Sequence, residues 1–318
     1  MIALTVLRKL FVAAFQLFII ATLVFSIMYV MPGDPVLLLL GAESDPSPEA
    51  VAAMRARLGL DQPVFTQYAA WLTAMLTGDM GRSVLDGYPV ARLVFDNLPR
   101  TLELAVAAVV IATLIGVPLG ILAALNRGNR LDVALTSFST VGISVPVYIL
   151  GAMLVLLFAL HLNLLPASGY MRIERNPVEH FRRLVLPAVT LGFGLSASIT
   201  RMTRSSVLDI LERDFVRALR AKGTPERRIV WRHILRNAAI PIVTIIGLQL
   251  GNLMGGTVLV EAMFNWPGLS TLLVDAVQNR NYPLVQGAIL TIAALYILIN
   301  LGVELTYTLL DPRIRRRR

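Results

Sequence analysis

The sequence predicts an all-α integral membrane protein with six transmembrane helices and a helical extracytoplasmic insert between the first two. Three observations predict it. The 318 residues are 56% hydrophobic and only 15% charged, with mean hydropathy +0.70, where soluble chains carry about 25% charged residues. Six apolar runs, near 10–31, 101–125, 134–160, 185–203, 238–260 and 284–309, are long enough to cross a hydrocarbon core of about 30 Å as helices. The basic residues, finally, gather in the gaps between those runs.

Each element has its own local reason. Arg8 and Lys9 precede the first run, but that run is too long for a signal peptide's apolar core. Met31-Pro32-Gly33-Asp34-Pro35 also lacks a small-x-small cleavage site, so the run is expected to stay as an anchor. Residues 32–100 are too many for a simple loop. Ser47-Pro48-Glu49 opens a helix that Gly59 ends, and the apolar spacing of "VFTQYAAWLTAML" predicts a second helix over 64–76 that stops at Gly78. Pro118 and Pro146 interrupt the second and third runs, since each removes a backbone donor. Such bends either shape a pathway or are ordinary membrane-helix features. Gly247, Gly251 and Gly255 lay a smooth stripe along the fifth run, a surface for close helix contact. After it, "EAMFNWPGLS" (261–270) reads as an interfacial anchor or a short re-entrant gate.

Orientation follows from where Lys and Arg fall. The 204–237 gap holds Arg204, Arg213, Arg217, Arg220, Lys222, Arg227, Arg228, Arg232 and Arg236, and the C-terminus holds Arg313 and Arg315 to Arg318. With Arg127 and Arg130 of the short 126–133 gap, these segments share the cytoplasmic side with the N-terminus. Both termini are therefore expected inside, and the acid-rich 32–100 segment outside. The formal charge of +9 is topology control rather than a nucleic-acid footprint.

Several chemistries lack their residues. Zero cysteines exclude disulfides and thiolate sites, and His161, His180 and His233 have no metal-like spacing. No metal or cofactor is expected in the chain. No GxxxxGK[ST] loop, zinc signature or G-x-S-x-G elbow occurs. Glu103, Glu261 and Glu304 lie near span ends and no mid-membrane charge stands out, which counts against a self-contained channel or ion-coupled carrier. A membrane enzyme or scaffold has no paired catalytic set to support it.

The long inner gap carries most information. From Ser205 to Lys222, apolar Val207, Leu208, Leu211, Phe215, Ala218 and Leu219 recur at helical spacing, predicting one amphipathic helix. Gly223 stops it, and Thr224-Pro225-Glu226 reads as a fresh start with Thr as N-cap and Pro at the first position. "PERRIVWRHILRNA" then leads to Pro241. The result is a compact knob. A basic hairpin on anionic lipid is the simplest alternative, but Asp209, Glu212, Asp214 and Glu226 make its charge mixed, which suits a protein partner better.

An ordered set of short motifs runs nearly end to end: "MPGDP" (31–35), "LGLDQPVFTQYAAWL" (58–72), "GDMGRSV" (78–84), "LPRTLELA" (98–105), "LPASGY" (165–170), "RALRAKG" (217–223), "RHILRNAAIP" (232–241), "FNWPGLS" (264–270), "RNYPLVQG" (280–287) and "LLDPRIR" (309–315). Their order resembles the permease subunits of bacterial ATP-binding cassette importers, in the dipeptide, oligopeptide and nickel branch. The long outer insert resembles the first, B-type chain of the two permeases such systems pair. The resemblance implies the type I ABC importer permease fold, divided as 1–31 (N-terminus and first span), 32–100 (extracytoplasmic segment) and 101–318 (five-span core). It also implies that the loop at 204–237 is the EAA loop, whose short helix docks on a cytoplasmic ATPase. The general pattern Glu-Ala-Ala-x-x-x-Gly reads here as Arg217-Ala218-Leu219 through Gly223. The missing Glu is usual in the peptide branch, where Thr-Ala commonly stands in place of Ala218-Leu219. Helix and glycine stop survive the change.

The resemblance thus implies a non-catalytic subunit of an ATP-driven importer in the bacterial inner membrane. Its partners would be a second homologous permease, one or two ATPase subunits carrying the ATP and Mg, an extracytoplasmic substrate-binding protein, and membrane lipid. ATPase coupling is expected at Phe215, Arg217, Ala218, Leu219, Ala221, Lys222 and Gly223. Gly255, Glu261, Asn265 and Trp266 are the candidates for a pathway or gate. Peptides lead as the substrate, with a nickel chelate or glutathione as the alternative.

Overall fold

In the computed structural model of the chain, residues 2–30, 36, 47–57 and 59–310 are described. The "MPGDP" motif and the C-terminal arginines lie outside them. The described residues form helices joined by turns and loops, with one isolated bridge between Arg82 and Pro89. Five helices are long and apolar enough to cross a membrane, and a bent pair makes six if counted as one span. Two compact units divide the chain: Met1–Pro99 with Gly268–Leu295, and Arg100–Pro267 with Tyr296–Arg318.

The first unit begins with α1 (Ile2–Val30). It turns Phe11, Phe15 and Leu23 outward, the exposure expected where lipid replaces water as solvent. Helix α2 spans Pro48–Arg57 and α3 spans Val64–Leu76. Three aromatic rings hold α3 to α1. Phe25 meets Tyr68 edge-on at 5.2 Å and Trp71 at 5.4 Å, while the Tyr68 and Thr22 hydroxyls lie 2.7 Å apart. Two distant motifs then meet. Asn281 donates to the Ser83 Oγ at 2.8 Å and accepts from the Val84 N–H at 3.3 Å. A Cβ on Gly287 would come within 2.6 Å of Val90. "GDMGRSV" and "RNYPLVQG" are therefore two halves of one contact. Helix α4 (Val90–Leu125) and the final helix, α13 (Tyr282–Leu310), share an apolar cluster here with α12 (Leu269–Gln278).

In the second unit α4 continues as one helix past Pro118; the expected interruption does not occur. Membrane helices tolerate such prolines where neighbours and local adjustment satisfy the freed carbonyl. Pro146 behaves differently. Helix α5 (Arg130–Ser144) ends at Val145, whose extended φ of −76° and ψ of 121° is what a following proline favours. Helix α6 (Val147–Leu154) restarts beyond it and runs on through a π-helical segment to His161. The two parts meet at 101°, so the third apolar run is two helices bent at Pro146. Helix α7 (Pro177–Leu211) is capped by Asn176, whose side chain accepts from the Glu179 N–H. It meets α4 backbone to backbone. A Cβ on Gly116 would lie 2.7 Å from the Ser196 carbonyl oxygen, and one on Gly120 2.6 Å from that of Thr200. Only residues without a side chain permit that approach.

The fifth span, α10 (Leu235–Gly256), is entered through a second π-helical segment, Ile229–Ile234. The glycine stripe on α10 divides in use. Gly247 faces Val303 and Gly251 faces Tyr296, whereas nothing lies within 4 Å of a Cβ at Gly255. Replacing Gly120 with Ile is expected to destabilise the detergent-solubilised chain by about 1–3 kcal/mol or more, the usual cost of overpacking. Gly255→Ala should not lower its thermal midpoint, because space is open there and Ala favours a helix over Gly by about 0.5–1 kcal/mol; thermal unfolding of both variants checks the contrast.

Candidate functional site

The knob is built from three turns of chain laid on a buried cluster. Helix α7 ends at Leu211, and Arg213 is extended with φ −72° and ψ 146°. A separate helix, α8, then spans Asp214–Ala221. The expected single helix over 205–222 is thus two helices. Its apolar periodicity survives the break because both pieces bury side chains in one place. Val207 and Ile210 of α7, Val216 of α8, and Ile229, Val230 and Ile234 beyond the turn form a single cluster with Ile121 and Ala124 of α4. Val216 is 0% exposed, and burying a valine is worth about 1.5–3 kcal/mol.

Gly223 takes φ +73° and closes α8. Its N–H donates to the Arg220 carbonyl at 2.9 Å and the Thr224 N–H to the Leu219 carbonyl at 3.1 Å, a left-handed glycine cap. The next helical turn, α9 (Glu226–Arg228), has Pro225 as its cap and starts one residue later than the sequence predicts. Arg220 reaches across the turn and grips Glu226 at 2.6 and 3.2 Å, which raises the guanidinium's pKa further. Two further ion pairs hold the neighbouring 126–133 loop: Arg127 with Glu212, and Arg204 with Asp132 at 2.6 and 2.7 Å. Of the residues expected to couple to an ATPase, Phe215, Arg217, Ala218, Ala221, Lys222 and Gly223 lie exposed. Leu219 is half-buried against the cluster.

The second constellation gathers three more motifs. Trp266 is 1% exposed and Glu261 0% exposed. The indole Nε1 of Trp266 donates to the Arg100 carbonyl at 3.0 Å. The Arg100 guanidinium donates to the Pro267 carbonyl at 3.3 Å and sits 5.2 Å over the Tyr170 ring. Tyr170 meets Trp266 edge-on at 4.8 Å, and burial, with the charge of Glu103, pushes the Tyr170 phenol up. Glu261 Oε1 accepts from the Thr101 and Thr257 hydroxyls, each at 2.8 Å. These bonds fasten α11 (Val258–Met263) to α4. "LPRTLELA", "LPASGY" and "FNWPGLS" are one junction.

Four residues carried the pathway expectation, and they divide. Glu261 and Trp266 are internal, with their polar atoms bonded inside the chain. Asn265 is exposed in a left-handed turn with φ 49°, and Gly255 has open space beside it. Sequence reasoning missed His180, which is buried between the Met171 carbonyl at 2.6 Å and Glu103 at 2.5 Å. A carbonyl only accepts, so Nδ1 carries the hydrogen of the bond to Met171. It also missed Gly116 and Gly120, whose four-residue spacing in "GVPLG" was the available signal.

Together these features define a polytopic helical membrane protein whose helices meet through small residues and whose largest amphipathic excursion sits between two spans. Residues 116–316 match the family described as "Binding-protein-dependent transport system inner membrane component", and residues 1–105 match its N-terminal region; the chain belongs to this family. It is therefore a multi-pass inner-membrane protein of a transport system that works with a binding protein. It is 39% identical over 98% of both chains to a probable peptide ABC transporter permease, y4tP, of Sinorhizobium fredii. It is 40% identical to the dipeptide transport permease DppB of Escherichia coli K12, covering 94% of this chain and 95% of that one. The glutathione transport permease GsiC of Salmonella choleraesuis is 39% identical over 98% of both. A solved structure of the MetNI methionine ABC transporter shares the fold, with TM-score 0.59 and 19% identity over 69% of this chain and 96% of that one.

Replacing Glu261 with Ala leaves two buried threonine hydroxyls without that acceptor, at about 1–3 kcal/mol for each group stranded. Glu261→Gln keeps an acceptor oxygen and should lose less. Thermal unfolding of the two variants in detergent is expected to rank them in that order.

Proposed function

We propose that the chain is one of two membrane-spanning permease subunits of an ATP-driven peptide importer. The observation that carries the reading is the build of the knob. An exposed face of small and basic residues, Ala218, Ala221, Lys222 and Gly223, is backed by a cluster rooted in α4, α7 and α10. A partner pressing on α8 would displace Val216, and Val216 touches the cluster that those spans share. Small residues allow that partner's backbone to come close. The partner is one or two cytoplasmic ATPase subunits, which hold the ATP and Mg. This chain supplies no catalytic group and orients both termini to the cytoplasm. A second homologous permease completes the path, and ATP binding and hydrolysis switch access between sides through the helices around the knob.

Phe215, Arg217 and Leu219 belong to the same coupling element, with Leu219 acting from within. Glu261 and Trp266 act on the path by holding α11 in place, while Gly255 and Asn265 have the exposure that contact with substrate or the second chain requires. Peptides are the substrate class that y4tP and DppB support. The equal likeness to GsiC makes glutathione, itself a tripeptide, the second reading.

The test is reconstitution with a second permease, the ATPases and the cognate binding protein, measuring uptake of labelled dipeptide and glutathione. ATP-dependent dipeptide uptake is expected. Uptake by this chain alone, indifferent to the ATPases, would establish a self-contained carrier instead. Gly223→Val forces a β-branched residue into a left-handed conformation, at about 1–2 kcal/mol for an L-residue. Uptake should fall roughly tenfold while ATP hydrolysis persists; Gly223→Asn, which tolerates that conformation, should retain most transport.

A further inference from the structure

One buried ion pair joins the root of the knob to the bent third run. Asp132, in the first turn of α5, is 5% exposed. Both its oxygens are taken by Arg204, near the inner end of α7, through Nε at 2.6 Å and Nη2 at 2.7 Å. The Gly128 N–H adds a third bond at 3.0 Å, so the carboxylate also fixes the turn that starts the helix. The neighbouring pair, Arg127 with Glu212, is exposed on both sides, where an ion pair contributes little. Asp132 is therefore the firm attachment between the two segments.

Stability alone does not account for it. Burying two charges is costly, and two apolar side chains of like volume in the same place are often as stable or more so. What an apolar pair lacks is direction. Elsewhere α5 meets α7 through apolar and small residues: Phe138 lies edge-on to Phe193 at 5.2 Å, and a Cβ on Gly142 would lie 2.9 Å from that of Ala197. Such contacts resist separation but specify axial position weakly, because hydrophobic contact is non-directional. A guanidinium fork on a carboxylate sets distance and angle together. The fork thus fixes the register of α5 on α7, and register is the best-attested use of a buried ion pair.

Register matters because of where α5 leads. Its far end is the bend at Pro146. Beyond the bend, α6 leans on the segment after the fifth span, since a Cβ on Gly151 would come within 2.8 Å of the Met263 sulfur. Met263 ends α11, the segment that Glu261 fastens to α4. We propose that Asp132 is a positioning residue for coupling: through Arg204 it makes α5 move in step with the inner end of α7. A push on the knob then reaches the bend at Pro146 and α11 by a second route, beside the one through Val216. The inference rests on the coupling reading of the knob given above.

The test compares the unmodified chain with the double variant Asp132→Leu/Arg204→Met, each reconstituted with the second permease, the ATPases and the binding protein. The apolar pair strands no charge, so thermal midpoint and ATPase capture are expected to be retained. Dipeptide imported per ATP hydrolysed should fall about fivefold. Arg204→Lys keeps the charge but not the fork, and its ratio should fall in the same direction, which keeps the test alive where the double variant does not assemble. An unchanged ratio in an assembled variant overturns the proposal. A second measurement needs no transport. Spin labels on Val141→Cys in α5 and Asp209→Cys in α7, both exposed positions, report how the two helices sit in the same complexes. One narrow distance is expected with the unmodified pair, and a broad or divided distribution in the variants. Identical distributions overturn the lock. Distributions that differ as expected, with no ATP-dependent dipeptide uptake by the unmodified complex, would leave the lock standing and count against the importer reading alone.

Discussion

Burial of Val216 ties the knob to the membrane helices. It is the one apolar side chain of α8 with no exposure, and it enters a cluster built from α4, α7 and the start of the fifth span. An eight-residue helix is too short to be stable alone in water, so α8 exists because this cluster holds it. The coupling role proposed for α8 rests on the same contact. A helix held only by loops would yield under load, whereas one seated on side chains shared by three spans moves them when it moves. Gly223 and the Arg220–Glu226 pair fix where that helix ends.

The far end of the second unit obeys a related constraint. Where water is scarce, a buried polar group needs a partner inside the protein. Glu261 satisfies this with two threonine hydroxyls, and Trp266 with the Arg100 carbonyl. Both fasten the short segment after the fifth span onto α4. Helix α4 also makes the glycine contact with α7 and supplies Ile121 and Ala124 to the cluster beneath the knob. One helix thus joins the glycine contact, the Glu261 junction and the cluster beneath the knob.

The helical membrane class and the knob were legible in the sequence because hydropathy, glycine stops and positive charge are local signals. The break at Arg213 was not, since both helices flanking it keep the same apolar rhythm and share one cluster. Pro118 and Pro146 look alike in sequence yet differ in outcome: α4 runs through the first, while the second separates two helices meeting at 101°. Which motifs touch which was equally hidden. "LPRTLELA" and "FNWPGLS" are separated by some 160 residues, and nothing local states that an indole of one will bond a carbonyl of the other. Glu261 read as a pathway candidate because it follows the fifth span; its threonine partners become visible only in three dimensions.

The chain has no cysteines, so single introduced thiols can map the knob without background. Cysteines placed one at a time at Ala218, Ala221 and Val216 would be tested for disulfide cross-linking to thiols lining the groove of the assembled ATPase. The account predicts efficient cross-links from positions 218 and 221 and none from 216, whose side chain faces the cluster. A cross-link from position 216 matching the other two, or none from 218 and 221 in an intact complex, would contradict it.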